Sequence, residues 1–295
     1  MHRRALLKSA GVAAGTLVTG GVLAACGDSG GEEGQPAGES SVETSTGQEQ
    51  TLTVISASYE TLAGNDRRFA FGVATAENVP LRDADLDVRV RDLDGNELAG
   101  PFPAEFADVG GPLGVYLTRI DVPDPGRVLV SVADGDDVGE VAVNVVAAED
   151  SELPVPGDPA IATATPTDDD PMGFSELCTR EPACGMHDVS LDDALAAGRP
   201  IMLMFATPAF CQTAVCGPAV DNLEEVRADG EWDDVAFIHV EIFSDEGQTL
   251  AEPVAEWDLP TEPWLFTIAA DGTIVDRLDA IMVPDELRDM ATALT

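Results

Sequence analysis

Lysine is almost absent from this chain, and its positive charge is far outnumbered by carboxylates. Lys8 is the only lysine among 295 residues, and 15 basic residues stand against 55 acidic ones, which gives a formal net charge of -40. Nucleic acid is excluded as a partner because phosphate binding needs clustered lysine and arginine, and the same charge disfavours adhesion to anionic lipid. The acidic residues are spread along the chain, which suits a highly hydrated surface, either adapted to salty surroundings or simply extracytoplasmic.

Soft metal ligands and long apolar runs are scarce as well. Residues 27–171 contain no histidine, methionine or cysteine, so a copper site of the usual ligand type is excluded from that part of the chain. The only long apolar stretch lies at the N-terminus, and no later segment needs a membrane to bury it. With 44% hydrophobic residues, the remainder can supply the cores of two domains of about 100 to 130 residues.

Residues 1–25 have the three parts of an export signal: basic residues, an apolar core, and small residues before a cleavage point. Residues 23–27 read LAACG, which resembles a bacterial lipobox. The resemblance implies that Cys26 receives the lipid, so we expect a lipid-anchored protein on the extracytoplasmic face of the cell membrane. The chain has five cysteines, and an even four then remain for pairing, which fits an oxidising compartment.

The start of the leader also bears on the export route. Arg3 and Arg4 followed by ALLK look like a twin-arginine signal, which implies export of an already folded protein. An ordinary basic segment is the alternative interpretation. Residues 26–50 are rich in Gly, Ser, Glu and Thr and nearly free of apolar side chains, which predicts a disordered tether between the anchor and the domains.

Residues 51–148 show short β-rich runs separated by turn residues, with no helical period between them. This pattern resembles an all-β, immunoglobulin-like sandwich of six or seven strands, which could bind a partner or position its neighbour. Residues 149–171 are rich in Pro, Ala, Thr and Asp and predict a linker between independently folded domains. The predicted strands are 52–55, 69–73, 86–90, 115–120, 128–132 and 141–146.

Residues 172–295 read as an α/β domain with an N-terminal extension. Ser190 is placed to cap a first helix, and a last amphipathic helix is expected over 284–294. From the strand at 201–205 onward the predicted order is β-α-β-α-β-β-α. The remaining predicted elements are a helix at 213–228, a strand at 235–242, a helix at 249–257, and strands at 264–268 and 273–275.

From about residue 186 onward the chain resembles the thioredoxin family. Residues 204–211 read MFATPAFC, similar to the segment before the attacking cysteine, and Glu262-Pro263 stands where that family has a residue followed by a cis-proline. The resemblance implies a thioredoxin-like fold and a thiol-disulfide oxidoreductase in which Cys211 attacks, Cys216 resolves and Pro263 shapes the substrate edge. It implies no organic cofactor, and protein thiols or disulfides of the cell envelope as partners.

The spacing of the two cysteines departs from the family, in which the second lies three residues after the first. A cysteine at the start of a helix has its thiolate stabilised by unpaired N–H groups, and the resemblance places Cys211 there. Cys216 is five residues on, which on a regular helix is about 500°, or about 140° away from the first side chain. Either Cys211 lies in the loop before the helix, or the first turn is distorted.

Other interpretations of this pair stay open. Cys211 and Cys216 could form a fixed disulfide in a non-catalytic binding lipoprotein that keeps the fold as a scaffold. A metal site could combine them with His187 or His239 for copper delivery. His239 falls within a buried strand pattern and no histidine follows it, so no metal site is assigned.

Cys178 and Cys184 precede the fold proper and are separated by a short loop. We expect them to form a structural disulfide that staples the extension. The alternative is that this pair passes electrons to Cys211 and Cys216. Phe210 and Trp264, which flank the thiol segment and Pro263, are expected to form an apolar rim that grips a partner, with Glu262 making it acidic.

Overall fold

The computed structural model describes residues 50–109, 114–211, 215–230 and 232–295. The predicted export signal, the lipidation of Cys26 and the tether therefore lie outside the described residues. No helix in the described part of the chain is long and apolar enough to cross a membrane.

The first half of the described chain is a large β domain. Its strands hydrogen-bond in the order β1-β3-β6-β5-β4-β7-β8-β2. Valines and aromatics from both halves of this array pack in one core, where Phe71 stacks on Phe69 and Tyr116 at ring-centroid distances of 5.8 and 5.7 Å. The strands are β1 (Leu52–Ser56), β2 (Thr61–Leu62), β3 (Gly64–Thr75), β4 (Asp87–Arg91), β5 (Glu97–Ala107), β6 (Val115–Val122), β7 (Gly126–Asp134) and β8 (Asp137–Val146).

The six predicted strands correspond to observed ones, whereas β2 and β5 were missed. β2 has only two residues. β5 contains Pro101 and Pro103, and proline lacks the N–H that a central strand donates, so the sequence disfavours a strand there. The strand changes partner in its middle: residues up to Pro103 pair with β4, and Ala104–Ala107 pair with β6. A strand that crosses between two sheets tolerates such interruptions better than a straight one.

The second half is a four-stranded mixed sheet covered by helices on both faces. The strand order is β10-β9-β11-β12, with β9 and β10 parallel and β11 antiparallel to both β9 and β12. The order of elements agrees with the prediction from the sequence. The elements are α1 (Leu191–Ala196), β9 (Ile201–Phe205), α2 (Cys216–Asp229), β10 (Ala236–Val240), α3 (Glu252–Glu256), β11 (Trp264–Ile268), β12 (Ile274–Asp279) and α4 (Pro284–Thr292).

Alternate residues of the central strand β9 serve two cores. Met202 and Met204 face the core that α2 and α4 cover, while Leu203 and Phe205 face the core that α1, α3 and the indole of Trp257 cover. All five residues of β9 are buried. Burial on both faces explains why this strand reads as an unbroken apolar run in the sequence.

Residues 149–171, predicted as a linker, pack along the α/β sheet. The N–H of Gly157 donates to the carbonyl of Ile274 at 2.8 Å, and the N–H of Ile274 donates to Asp158 at 2.9 Å. Leu153 is buried in the same core as β9. The segment thus lines the open edge of β12 while it connects the two halves.

The two halves lie within one compact unit and share a contact surface. The guanidinium of Arg68 on β3 binds Glu286 of α4 through two hydrogen bonds of 2.6 and 3.0 Å and also donates to the carbonyl of Ile281. Arg277 on β12 pairs with Glu60 in the β domain. Ionic contacts as buried as these hold the halves in one orientation.

Candidate functional site

The loop between β9 and α2 carries Cys211. The N–H of Cys211 donates to the carbonyl of Thr207 at 3.1 Å. Helix α2 begins at Cys216, so the expectation that Cys211 starts the helix is wrong, and the loop position that the spacing left open is the one observed. Cys216 therefore occupies the helix start instead.

Cys211, Cys216 and Glu262 converge on one point. The two Sγ atoms and a carboxylate oxygen of Glu262 lie within 4.8 Å of one another. Cys211 is half-buried and Cys216 is fully buried. Burial first, then the contact with Cys211 and the charge of Glu262, raise the pKa of the Cys216 thiol. Cys216 thus holds its proton until a base removes it.

Glu262 is brought to the thiols by the turn that precedes β11. The Glu262–Pro263 peptide bond is cis, as the resemblance implied. The carboxylate accepts a hydrogen bond of 2.9 Å from the N–H of Thr207. Burial raises the pKa of Glu262, and its contact with Cys216 opposes that rise. A carboxyl group with a raised pKa next to a buried thiol is suited to exchanging a proton with it.

The expected apolar rim is only half present. Phe210 is 38% exposed, but Trp264 is 1% exposed. The indole of Trp264 stacks on Phe266 and meets the edge of Tyr59, with ring centroids 5.9 and 6.0 Å away, so it belongs to the core and the domain contact. The expectation for Trp264 is therefore wrong.

Apolar surface next to the thiols is provided instead by a groove between the two halves of the molecule. Its volume is about 610 Å³. Ile55 and Ala57 line one side, Val215 and Ile281 line the other, and Glu262 lies on its wall. Val215 precedes Cys216 in the chain, so the groove opens beside the thiol pair.

A second cluster contains the other two described cysteines and both described histidines. Cys178, Cys184, His187 and His239 are all buried, and their ligand atoms lie within 4.8 Å of one another. Neither histidine joins Cys211 and Cys216, so the three-ligand copper set considered from the sequence is not formed. This grouping was missed, although Cys178-x5-Cys184-x2-His187 was a visible signal of a compact ligand set.

The predicted disulfide between Cys178 and Cys184 is not present in the structure. Their sulfurs are 3.6 Å apart, whereas a disulfide bond is about 2.05 Å long. The contact with Cys184 and, to a lesser extent, the two imidazoles lower the pKa of the Cys178 thiol against the effect of burial, while the same contact and burial raise the pKa of Cys184. The sulfurs of this pair and those of Cys211 and Cys216 fall in separate clusters. The electron-relay interpretation is therefore not supported by any sulfur–sulfur contact between the two pairs among the described residues.

Buried Glu241 links the two clusters, and no pattern in the sequence announces it. One carboxylate oxygen accepts from the N–H and hydroxyl of Thr179, next to Cys178, at 2.6 and 3.0 Å. The other accepts from the hydroxyl of Thr207 at 2.5 Å. Because the N–H of Thr207 binds Glu262, hydrogen bonds through Glu241 and Thr207 connect Thr179, next to Cys178, with the carboxyl group beside Cys216.

Comparisons with known proteins give partial likenesses of fold. No family model and no curated protein matches the chain. A thiol:disulfide interchange protein of the thioredoxin family from Chlorobium tepidum TLS shares 13% identity at a TM-score of 0.32, over 49% of this chain and 98% of that chain. The Lin-41 filamin domain shares 9% identity at a TM-score of 0.23, over 32% of this chain and 92% of that chain.

The N-terminal Ig1-2 module of the Drosophila receptor protein tyrosine phosphatase DLAR is a third similar structure. It shares 13% identity at a TM-score of 0.22, over 40% of this chain and 59% of that chain. Together these neighbours include Ig-like, filamin-like and thioredoxin-like folds. At such scores they assign no activity to this chain.

Proposed function

We propose that this chain is a membrane-anchored, extracytoplasmic thiol-disulfide oxidoreductase with an immunoglobulin-like β domain and a thioredoxin-like α/β domain. The observation that carries the proposal is the convergence of a half-buried thiol, a buried thiol and a carboxyl group within 4.8 Å at Cys211, Cys216 and Glu262. An accessible sulfur can attack, a hidden one can resolve, and a protonatable carboxyl can serve the hidden one.

The fold assignment rests on topology and on the position of the cis peptide. A parallel β9–β10 pair joined through α2, followed by the β11–β12 hairpin and α4, is the arrangement that the resemblance implies. Pro263 follows the cis bond and directly precedes β11, and the thiol loop follows the neighbouring strand β9. Its position supports the role of shaping the edge against which a substrate lies.

The exchange proceeds in two balanced steps. The Cys211 thiolate attacks a disulfide of the partner protein, the partner's S–S bond breaks, and one partner thiolate leaves as a mixed disulfide forms. Glu262 then accepts the proton of Cys216, whose sulfur attacks that of Cys211, so that the mixed disulfide breaks and the second partner sulfur leaves as a thiolate. The two partner thiolates take up protons, one from Glu262 and one from solvent. The partner gains two electrons, and the protein ends with a Cys211–Cys216 disulfide.

The reverse sequence oxidises a dithiol partner. In that direction Cys216 leaves as a thiolate and takes a proton from the Glu262 carboxyl. Turnover in either direction needs a second envelope protein, a dithiol or a disulfide, that restores the starting state of Cys211 and Cys216. The groove beside Val215 is the surface on which we place the partner polypeptide, because it is apolar and Glu262, the carboxylate beside the sulfurs, lies on its wall.

Membrane attachment through Cys26 is part of the proposal and rests on the LAACG motif. Incorporation of a radiolabelled fatty acid into the full chain, and its loss in Cys26→Ser, is the expected result. If the wild-type chain incorporates no fatty acid, the lipid anchor is wrong, whereas the proposed thiol chemistry is unaffected.

A non-catalytic binding lipoprotein is the second candidate. It is favoured by the complete burial of Cys216 and by the position of Cys211 outside α2, where the helix terminus does not act on it directly. In that case the pair is a permanent disulfide and the groove alone is functional. Copper delivery by Cys211 and Cys216 is not proposed, because both described histidines lie with Cys178 and Cys184 instead.

The reduction potential of the Cys211–Cys216 pair tests the proposal. The full chain is equilibrated in a series of thiol redox buffers, the thiols are trapped by alkylation, and each cysteine is quantified by peptide mass spectrometry. A reversible transition between about -120 and -270 mV supports exchange chemistry. A pair that stays oxidised below about -300 mV is a structural disulfide and favours the binding lipoprotein.

A further inference from the structure

We propose that Cys178, Cys184, His187 and His239 form a closed tetrahedral zinc site that fastens the N-terminal extension to the loop before Cys211. The four side chains come from two remote places: the first three lie within ten residues of chain, and His239 projects from strand β10. The inference does not depend on the redox function proposed above.

Four of the six distances between the ligand atoms match the edges of a zinc tetrahedron, and the other two are no longer than 4.8 Å. Zn–S bonds of about 2.3 Å and Zn–N bonds of about 2.0–2.1 Å imply edges of about 3.8 Å between sulfurs and about 3.5 Å between sulfur and nitrogen. The two sulfurs are 3.6 Å apart. Cys184 Sγ lies 3.5 Å from His187 Nε2 and 3.4 Å from His239 Nδ1, and Cys178 Sγ lies 3.8 Å from His239 Nδ1. An ion therefore fits with little movement of the ligands.

The second nitrogen of His239 shows that its ring is oriented as a ligand. Its Nε2 lies 3.0 Å from the carbonyl oxygen of Ala206. A carbonyl can only accept, so Nε2 carries the proton, and the lone pair of Nδ1 in the neutral ring points at the two sulfurs. Metal-binding histidines are commonly held in this way by a second contact. His187 has no such contact among the described residues, since its Nδ1 is buried without a partner.

The chemistry of the set selects zinc and a structural role. Two thiolates and two imidazoles are ligands that tetrahedral Zn²⁺ prefers, and four protein ligands leave no open position for a substrate. On binding, the two thiols lose their protons to solvent, and Zn²⁺ with two thiolates and two neutral imidazoles has no net charge. Neutrality matters because all four ligands are buried, where an uncompensated charge would be costly.

The site reaches the thiol loop through two paths. His239 binds the carbonyl of Ala206, which follows β9 and begins that loop. Thr179, next to Cys178, donates to Glu241 and accepts a hydrogen bond of 3.0 Å from the N–H of Ala209. A filled site would therefore hold the segment 206–209 in place. Export of a folded chain, which one of the two interpretations of the leader implies, is compatible with metal loading in the reducing cytoplasm.

Metal content is the test, on the full chain purified with a reductant and without chelator. We expect one zinc per chain by elemental analysis, and replacement by Co²⁺ should give the charge-transfer absorption of thiolate ligands. Cys184→Ser and His239→Gln should each lose stoichiometric zinc. The matched control is the double variant Cys211→Ser/Cys216→Ser, which removes two thiols elsewhere and should keep one zinc.

Two outcomes would overturn the site. One is a wild-type chain that takes up no stoichiometric zinc after reduction, or that binds copper instead. The other is zinc that stays in Cys184→Ser but leaves the double variant, which would place the metal at Cys211 and Cys216. If Cys184→Ser does not fold, the cobalt spectrum of the wild-type chain still decides, since absence of thiolate absorption refutes the proposal. Failure of the redox function would leave the zinc content unchanged.

Discussion

The two cysteine clusters of this molecule use the same nucleophile in opposite surroundings. Cys211 and Cys216 share one carboxyl group and Cys211 is only half-buried, which makes this the open cluster. Cys178 and Cys184 face two imidazoles and all four residues are buried, which makes that the closed cluster. An acidic neighbour and an open side suit proton exchange and attack on another molecule. Neutral nitrogen ligands and closure suit a metal ion. The neighbours of each thiol pair, rather than the thiols themselves, distinguish the two proposed roles.

The clusters are also neighbours in the fold. The thiol loop follows β9, and His239 lies on β10, which pairs with β9 so that His239 stands opposite Met204. Glu241 and Thr207 complete the connection between them. A structural change at the closed cluster should therefore shift the loop that carries Cys211, although the two clusters are proposed to do different chemistry.

Removing the attacking sulfur should have the largest effect and separates the clusters most sharply. We expect Cys211→Ser to reduce the rate of exchange with a dye-labelled peptide disulfide to the rate without protein, because no other described thiol is exposed to attack. Cys178→Ser should retain measurable turnover where it folds. Fluorescence release measures both. Full activity in Cys211→Ser would show that Cys211 is not the attacking residue.

Metal removal from the cluster of Cys178, Cys184, His187 and His239 should produce the next largest effect. Dialysis against a chelator in the presence of reductant should lower the free energy of unfolding by about 4 kcal/mol, relative to protein with free zinc at about 1,000 times its Kd. Denaturant titration measures the difference. The double variant Cys211→Ser/Cys216→Ser should lose the same amount. A stability unaffected by chelation would contradict a structural metal.

Glu262→Gln should slow the resolving step on the order of 10²-fold, because the amide cannot accept the proton of Cys216. Burial raises the pKa of Glu262, so in the wild-type chain resolution should fall on acidification at a higher pH than for an ordinary glutamate at about 4.3. This decrease of the resolution rate at acidic pH should be absent in Glu262→Gln. The lifetime of the mixed disulfide, measured by acid quenching across pH, reports both.

The control for Glu262 is Glu246→Gln, on an exposed loop residue. It removes the same charge without touching either cluster, and its resolution rate and pH profile should match the wild type. Equal slowing in both variants would show a general effect of charge, and the role of Glu262 as the base would be wrong.

The smallest effect is expected where the clusters communicate. Thr207→Val keeps the size of the side chain but removes the hydrogen bond to buried Glu241, which should lower the free energy of unfolding by about 1 to 3 kcal/mol. Thr267→Val is the matched control, because Thr267 is equally buried and its hydroxyl makes only a 3.3 Å contact with the Asp276 carbonyl. Denaturant titration compares them. Equal losses would show that Thr207 has no special role.

Much of the secondary structure followed from local patterns. The apolar run at Ile201–Phe205 and the turn at Asp271-Gly272 were enough to place β9 and the β11–β12 hairpin, because burial and turn chemistry act over a few residues. β5 was not predicted because its prolines disfavour a strand, and the bend that accommodates them depends on two partner strands. Contact between the halves through Arg68 and Glu286, 218 residues apart, has no local signature.

For the site, the sequence by itself determined which residues could do chemistry: the Cys211–Cys216 pair, its five-residue spacing, and the Glu262-Pro263 step. It could not decide which histidine accompanies which thiol. His239 is 55 residues from Cys184, and only the pairing of β10 with β9 and the packing of the extension bring them together. Periodicity and spacing describe neighbours along the chain, whereas a ligand set depends on which distant segments share one buried volume, and the tertiary structure alone decided that.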